Sequence, residues 1–456
     1  MLDIAWKPKE RGIDLNRLLF KYLVYNPVLI LRREWIYGHL RNLKKSQYWD
    51  RKKLERYQVE RMNSLLAHAR ATVPYYKDIK VEKIDSINDL SLIELLDKDI
   101  VRSEYNELIS TKAGFLSRNK TSGGSTGAPV TIRKDSLGMA KELAATWRGY
   151  QWAGIDVGDR QARFWGVPTQ RRDYNRARLI DFVGNRKRLS AFSFSDKEFQ
   201  KYVEMLKRFK PAYFYGYVSL IKQFAEYVEG NQLQNFFSLK AVITTSEVLT
   251  KIDREVISRA FSTRVYNEYG CGEVGTIAHE CEYGRMHINS ENMIVEVIGK
   301  DGSPVPAGES GELVVTDLCN YSMPLIRYRM KDFGRVSHEV CRCGRGLHIL
   351  EEVQGREYDV LLNSAGQSFH GEFFLYMVED LKKGGTKVDG VQFIQNQDKS
   401  LLINVVCNPE EFSVFSEFIG REIYNRFDQT VNVKFCRVSQ IDREPSGKLR
   451  VVKRVS

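Results

Sequence analysis

Between residues 212 and 270, strand-sized apolar runs alternate with helical ones. AYFYG (212–216) precedes VSLIKQFAEYV, KAVITTS (240–246) precedes KIDREVISRAF, and TRVYNEYG (263–270) closes the series. Strands separated by helices are joined by crossovers rather than tight turns, which argues for a parallel α/β sheet. Ahead of this region, residues 48–110 and LGMAKELAATWRGYQWAG (137–154) read as helical, and RQARFWGV (160–167) as a strand. From about residue 291 the pattern turns to β, with MIVEVIG, a GSPVPAGESG turn region and GELVVTDL. Beyond QGREYD (354–359), short strands mix with helices as in a small α+β domain. The expected fold class is α/β. An N-terminal helical extension (1–55) leads into a large domain of parallel-type sheets with helices and a β-rich subdomain (56–354). A small α+β C-terminal domain follows (355–456).

With 456 residues and 43% hydrophobic content, the chain can bury a large interior. Its net charge of +12 points to anionic partners, among them nucleotides, coenzyme A, nucleic acid or a membrane surface. No recognised nucleic-acid-binding module is present, so nucleic acid is not expected. Seven cysteines, an odd number, argue for reduced thiols over a disulfide framework. MLDIAWKPKERGIDL lacks the apolar core of a secretory signal, and the apolar stretch YLVYNPVLIL is short and broken by Pro27. A cytoplasmic protein is expected. Residues 15–43 read as an amphipathic helix pair with Arg and Lys flanks that could make peripheral membrane contact; packing against the main body is the preferred reading.

TSGGSTGAPV (121–130) is rich in glycine and hydroxyl groups: Thr121, Ser122, Gly123, Gly124, Ser125, Thr126 and Gly127. The NTPase P-loop G-x-x-x-x-G-K-[ST] does not fit, because Ala128 and Pro129 follow Gly127 and VTIRK alternates like a strand. The segment reads as a loop between strands that can offer N–H and hydroxyl groups to phosphate oxygens; alone, it fits a surface hairpin equally well. HECEYGRMH (279–287) and CRCGR (341–345) supply Cys281, His287, Cys341 and Cys343, a Cys₃His set of the kind tetrahedral zinc takes, with His279 as a spare candidate.

After the loop come VITTSEVL (242–249), YNEYGCGEVG (266–275), GELVVTDLCNYSMPLIRYRMKD (311–332), GREYD (355–359) and REPSGKLR (443–450), in that order. Together they resemble the adenylate-forming superfamily of acyl-CoA synthetases and related ligases. Within it they look most like the phenylacetate–coenzyme A ligase-like branch, which includes the CapK-type proteins of capsule gene clusters. The resemblance covers roughly residues 60–455.

The resemblance implies ATP-dependent activation of a small carboxylic acid to an acyl-adenylate with release of pyrophosphate. Acyl transfer would follow, to a thiol (coenzyme A or a carrier protein) or to an amine acceptor, in capsule or exopolysaccharide biosynthesis. The alternative is a catalytically degenerate nucleotide-binding scaffold. In the resembling family the glycine-rich loop holds the β- and γ-phosphates. Tyr269 matches the aromatic that stacks on adenine, and Glu273 the carboxylate that ligates Mg²⁺. Ser246 and Glu247 stand where backbone lines the adenine pocket, Asp332 matches the ribose-binding aspartate, and Arg356 the arginine near the hinge. Lys448, on a small C-terminal domain that is mobile in the family, matches the lysine that bridges carboxylate and α-phosphate. Two positions depart: Val130 replaces a frequent lysine, and Tyr358, followed by Asp359, replaces the usual pivot residue. A structural zinc in some members of the branch supports the Cys₃His reading. Phe164, Trp165, Tyr215, Gly216 and Tyr217 are candidate walls for the carboxylate pocket. The basic stretch 160–188 is read either as a solvated loop or as a contact for coenzyme A phosphates, an acidic carrier or an acidic glycan.

Overall fold

The structure is a computed structural model that describes residues 15–121, 130–166, 171–190, 196–299, 301–306, 308–337, 339–354, 360–441 and 451–455. Residues 122–127 of the expected phosphate loop, and Arg356, Tyr358, Asp359 and Lys448, lie outside the described residues.

A hairpin comes first, β1 (Arg118–Thr121) antiparallel to β2 (Thr131–Lys134), with Thr121 opposite Thr131. Next come β3 (Gln161–Trp165), β4 (Arg186–Ser190), β5 (Tyr213–Tyr217), β6 (Ala241–Thr245) and β7 (Val265–Cys271). They lie parallel in the order β4–β3–β5–β6–β7. Only three residues separate β7 from β8 (Gly275–Glu280), too few for a crossover, so the sheet turns antiparallel at that point. It continues through β9 (Met286–Ile288), β10 (Met293–Ile298), β11 (Gly311–Asp317), β12 (Tyr328–Ser337) and β13 (Ile349–Gln354), in the order β8–β9–β13–β12–β11–β10. The β-rich part expected as a subdomain is therefore continuous with the parallel sheet, in one eleven-stranded sheet.

Both faces of the parallel half are covered. On one, Phe164, Phe214, Phe224 and Phe261 lock helices Asp196–Phe209, Val218–Gly230 and Lys251–Phe261 to the strands. On the other lies helix Ser136–Trp152, N-capped by Asp135, whose Oδ1 accepts from the Gly138 N–H at 2.6 Å. This helix sits close on the sheet because position 149 is glycine: a Cβ there would come within 2.3 Å of the His279 ring on β8.

The N-terminal helices pack on the same face. Ile36, Leu40 and Leu43 are buried, the Trp147 indole donates to Tyr25 Oη at 2.9 Å, and that of Trp152 to Gln47 Oε1 at 2.9 Å. Helix Arg51–Thr72 follows and stops where Val73, ahead of Pro74, turns extended. SINDLSLIELLDK, expected as a helix, forms only a 3₁₀ turn, Ile87–Leu92. Tertiary pairing overrides its helical pattern: the Leu96 N–H donates to the Arg327 carbonyl at 3.0 Å, and the Arg329 N–H to that of Leu96 at 2.8 Å.

Past β13 the chain forms a two-stranded pair, β14 (Val360–Leu362) with β15 (Ser368–His370). A separate four-stranded sheet has β16 (Gly390–Gln395), β17 (Leu401–Val406), β18 (Val433–Arg437) and β19 (Val452–Arg454) in the order β18–β17–β16–β19. Helices Gly371–Lys383 and Pro409–Arg426 close its core around Phe374, Phe393 and Phe415.

Candidate active site

Tyr269, near the end of β7, donates its hydroxyl to Asp332 Oδ2 on β12 at 2.9 Å. Three strands separate β7 from β12 in the sheet order, so this bond spans the concave side of a curled antiparallel half. Glu273 lies in the β7–β8 turn and is only 3% exposed. Its Oε1 accepts from Tyr328 Oη at 3.1 Å and lies 3.2 Å from the Lys98 ammonium. Burial opposes its charge, but Lys98 and local hydrogen bonds outweigh burial and hold the carboxyl below its ordinary range. The bonds Tyr269–Asp332 and Tyr328–Glu273 thus tie the end of β7 and the turn after it to β12.

Lys98 carried no signal in the sequence. It is the first residue of a short helix, Lys98–Ser103, that Asp97 caps through the N–H groups of Asp99 and Ile100. It enters the site from a segment far from the motifs that mark the rest.

Ser246 adopts φ +68°, turning the chain sharply out of β6. The Glu247 carboxylate is used up locally, accepting from the Ser219 N–H at 2.6 Å and from Ser219 Oγ at 2.9 Å at the start of helix Val218–Gly230. At this position the backbone is what remains to face a ligand. Thr121 closes β1 with its hydroxyl 3.2 Å from that of Thr131, so residues 122–130 connect the two strands of a hairpin. Two lysines flank that hairpin, but both are committed. Lys134 Nζ donates to Glu142 Oε2 at 2.7 Å and lies 3.5 Å from Asp317; Lys120 Nζ donates to Glu142 Oε1 at 2.6 Å. They brace the hairpin against helix Ser136–Trp152 and do not stand in for the lysine missing at Val130.

Cys281, His287, Cys341 and Cys343 converge away from this site, with their ligand atoms within 4.8 Å of one another. Cys281 Sγ and Cys341 Sγ are 3.7 Å apart, and Cys343 Sγ is 3.2 Å from His287 Nε2. A disulfide needs sulfurs about 2 Å apart, so these are separate thiols. Tetrahedral Zn–S bonds of about 2.3 Å put sulfurs roughly 3.8 Å apart, close to the separation seen. Hydrogen bonding from Cys281, and then from His287, lowers the Cys343 thiol against the opposing effect of burial. Such thiolate character suits a metal ligand. His279 is not in the cluster; it faces Glu268 at 3.7 Å and packs against Tyr150.

Residues 362–455 match the family described as the CapK C-terminal domain. Protein CapK of Staphylococcus aureus is 24% identical over 384 residues, 82% of this chain and 81% of the relative. Phenylacetate–coenzyme A ligase of Thermus thermophilus is 24% identical over 435 residues, 88% of this chain and 96% of that enzyme. The chain is a relative of CapK and of the phenylacetate–coenzyme A ligases. The resemblance expected from the motifs is thereby borne out, and so is the α/β fold class. A 2-hydroxyisobutyryl-CoA ligase, solved with an acyl-adenylate and coenzyme A, superposes with a TM-score of 0.60 at 17% identity, covering 90% of this chain and 93% of the other.

In this relative of CapK the candidate pocket walls separate into two groups. Phe164 and Tyr217 are fully buried in one core cluster and are no walls. Trp165 stacks between Tyr215 and Tyr217, at ring distances of 5.9 and 4.3 Å, and the Arg163 guanidinium lies over Trp165 at 4.7 Å. Tyr215 Oη donates to Glu268 Oε1 at 2.9 Å. Gly216 is required where β5 passes β3: a Cβ there would come within 2.0 Å of the Phe164 carbonyl oxygen.

Proposed function

We propose that this protein is an ATP-dependent, AMP-forming ligase that activates a small carboxylic acid and passes the acyl group to coenzyme A. The observation that carries this reading is the pairing of Tyr269 with Asp332, and of Glu273 with Tyr328 on the same strand, in a chain related to coenzyme A ligases. A carboxylate oxygen of the acid attacks the α-phosphorus of ATP and pyrophosphate leaves. The coenzyme A thiolate then attacks the acyl carbon and AMP leaves. Asp332 can accept from both ribose hydroxyls, exchanging the Tyr269 phenol for them, while the Tyr269 ring covers adenine. Glu273 is a hard oxygen ligand of the kind Mg²⁺ takes, and the ion would offset charge on the phosphates. Thr121 and residues 122–127 would bind the departing pyrophosphate, and Arg356 the nucleotide beside the hinge. Lys448 would neutralise charge building between carboxylate and α-phosphate.

Cys281, His287, Cys341 and Cys343 would hold a zinc ion. Four protein ligands leave no open position, so the role is structural. A place in capsule or exopolysaccharide assembly rests on the likeness to CapK, and a carrier thiol or an amine remains the alternative acceptor. The test is carboxylate-dependent ATP–pyrophosphate exchange, with hydroxylamine trapping across a panel of acids. Lys448→Ala should lower exchange by about 10²-fold or more without altering thermal unfolding. Near wild-type exchange in that variant would sink the assignment. Silence of the wild type across the panel, with ATP still bound, would favour the scaffold reading.

A further inference from the structure

The helical run 15–31, which includes a π turn at Lys21–Tyr25, leaves an apolar side exposed. Its outward side carries Leu15, Leu19, Tyr22, Leu23, Ile30 and Leu31, with exposures from 50% (Leu19) to 83% (Leu31). Spacings of four, three, one, seven and one residues place them along one face of a helix about 25 Å long. Its inward side mixes apolar and polar contacts: Leu29 is buried in the cluster of Ile36 and Leu40, and Tyr25 packs against that cluster. Asn26 is buried and accepts from Tyr37 Oη at 2.6 Å, Arg17 pairs with Asp156 at 3.6 Å, and Lys21 lies 5.1 Å over the Tyr37 ring. The run is seated closely: Gly158, at φ +92°, would bring a Cβ within 2.7 Å of the Arg17 carbonyl. A helix that also leaves a row of leucines exposed on its outward side departs from the ordinary surface helix, whose outer face is polar.

The apolar surface does not end with that helix. Phe20 meets Phe182 edge to face at 6.1 Å, and helix Arg171–Val183 exposes Leu179 (64%) and Phe182 (62%) beside it. Both segments are strongly basic. Residues 15–46 hold seven Lys and Arg against one acid, Glu34, and residues 171–190 hold seven against two, Asp173 and Asp181. Glu34 is paired with Arg32 and Arg118, and Asp181 with Arg186 and Arg188. Arg33, Arg41, Lys44, Lys45 and Arg176 are exposed within these two segments.

We propose that the outward faces of residues 15–31 and of helix Arg171–Val183 form a docking surface for an anionic lipid bilayer. Leucine and aromatic side chains enter the headgroup boundary, and the surrounding Arg and Lys meet lipid phosphates. Among the described residues no helix is long and apolar enough to cross a membrane, so the run lies in the plane of the bilayer. Docking of a second copy on the same face would oppose two basic rims, which works against self-association. Asp156 and Gly158 precede the start of β3, and Gly184 and Asn185 that of β4. The surface therefore lies at the opening ends of the parallel strands, opposite the ends that carry Ser246 and Tyr269, and docking leaves the candidate active site uncovered.

The test is co-sedimentation of the full chain with vesicles of phosphatidylcholine alone and of phosphatidylcholine with about 30% phosphatidylglycerol. The wild type should bind the anionic vesicles at least about tenfold more tightly, with affinity falling as salt rises. Leu19→Glu/Leu23→Glu/Ile30→Glu should weaken that binding about tenfold or more, with thermal unfolding unchanged. Should the triple variant fold poorly, Arg33→Gln/Arg176→Gln supplies a second arm, in which the salt dependence should flatten. The proposal is overturned if the wild type does not bind anionic vesicles at low salt, or if well-folded triple and charge variants both bind as the wild type does. A dimer in light scattering that the triple variant dissolves would overturn it too, assigning the surface to a second copy.

Discussion

Glu268 lies under the sheet at the start of the Tyr269 motif, and burial pushes its carboxyl up to about 7 against the Tyr215 hydroxyl and Arg163. Its ordinary value is 4.5, so between these limits the native state holds a proton that the unfolded chain has released. Stability must therefore fall as pH rises from about 4.5 to about 7, with the loss complete above that. Glu268→Gln removes the titration. The unfolding free energy of the wild type minus that of the variant should drop by about 3 kcal/mol from pH 4 to pH 8, read from urea melts at both. A flat difference would show that the carboxyl titrates as an exposed one. Lys134 is the complementary case, a buried ammonium between Glu142 and Asp317. Burial would raise Glu142, but Lys134 and Lys120 outweigh it and hold the carboxyl at about 2. That stability is present above about 4.5 and is lost as pH falls toward 2. Lys134→Met should cost about 3–5 kcal/mol in chemical denaturation near neutral pH, because the buried Asp317 loses its counter-charge and Glu142 keeps only Lys120; a cost within the error of the melts would mean that the carboxylates relax into water. Tyr269, Glu273 and Asp332 were singled out because the motifs that hold them resemble those of the adenylate-forming family. Lys98 was not, since nothing in ELLDKDI indicates which strand end the ammonium will reach.

At the level of elements, the parallel half was readable from alternation alone, because only crossovers can join strands so spaced. The hairpin at the glycine-rich loop was readable from VTIRK, whose period of two excludes the helix a P-loop requires. The 3₁₀ turn Ile87–Leu92 was not, since what replaces a longer helix is backbone pairing of Leu96 with Arg327 and Arg329, residues remote in sequence. The Cys₃His cluster joins the end of β8, β9 and the loop between β12 and β13. Purified protein should carry about one equivalent of zinc. Cys341→Ser should lose most of it and melt several degrees lower, whereas chelator should leave the variant's melting temperature nearly unchanged. Elemental analysis giving less than about a tenth of an equivalent in untreated wild type would remove the metal from the account.

At the scale of the whole molecule, one sheet runs from β4 through the parallel half and the antiparallel half to β10, so the regions before Gln354 share backbone hydrogen bonding from edge to edge. The sequence divides this region by composition, but composition does not report that β7 and β8 splice the two patterns; a three-residue turn does. Helix Ser136–Trp152 runs along that splice as a beam. At its first turn Asp135 Oδ2 accepts from the Tyr321 and Ser322 N–H groups, beside the hairpin that carries the glycine-rich loop. At its last turn the Trp152 ring meets the edge of His287 at 5.7 Å, and Arg345, two residues past Cys343, lies over its face at 4.5 Å. Gly149 keeps the beam too close to β8 for it to roll independently. The thiol–histidine cluster and the loop hairpin thus contact the two ends of one helix. If the chain binds ATP as proposed, slackening the far end should register at the near one as a shift in its apparent affinity for ATP.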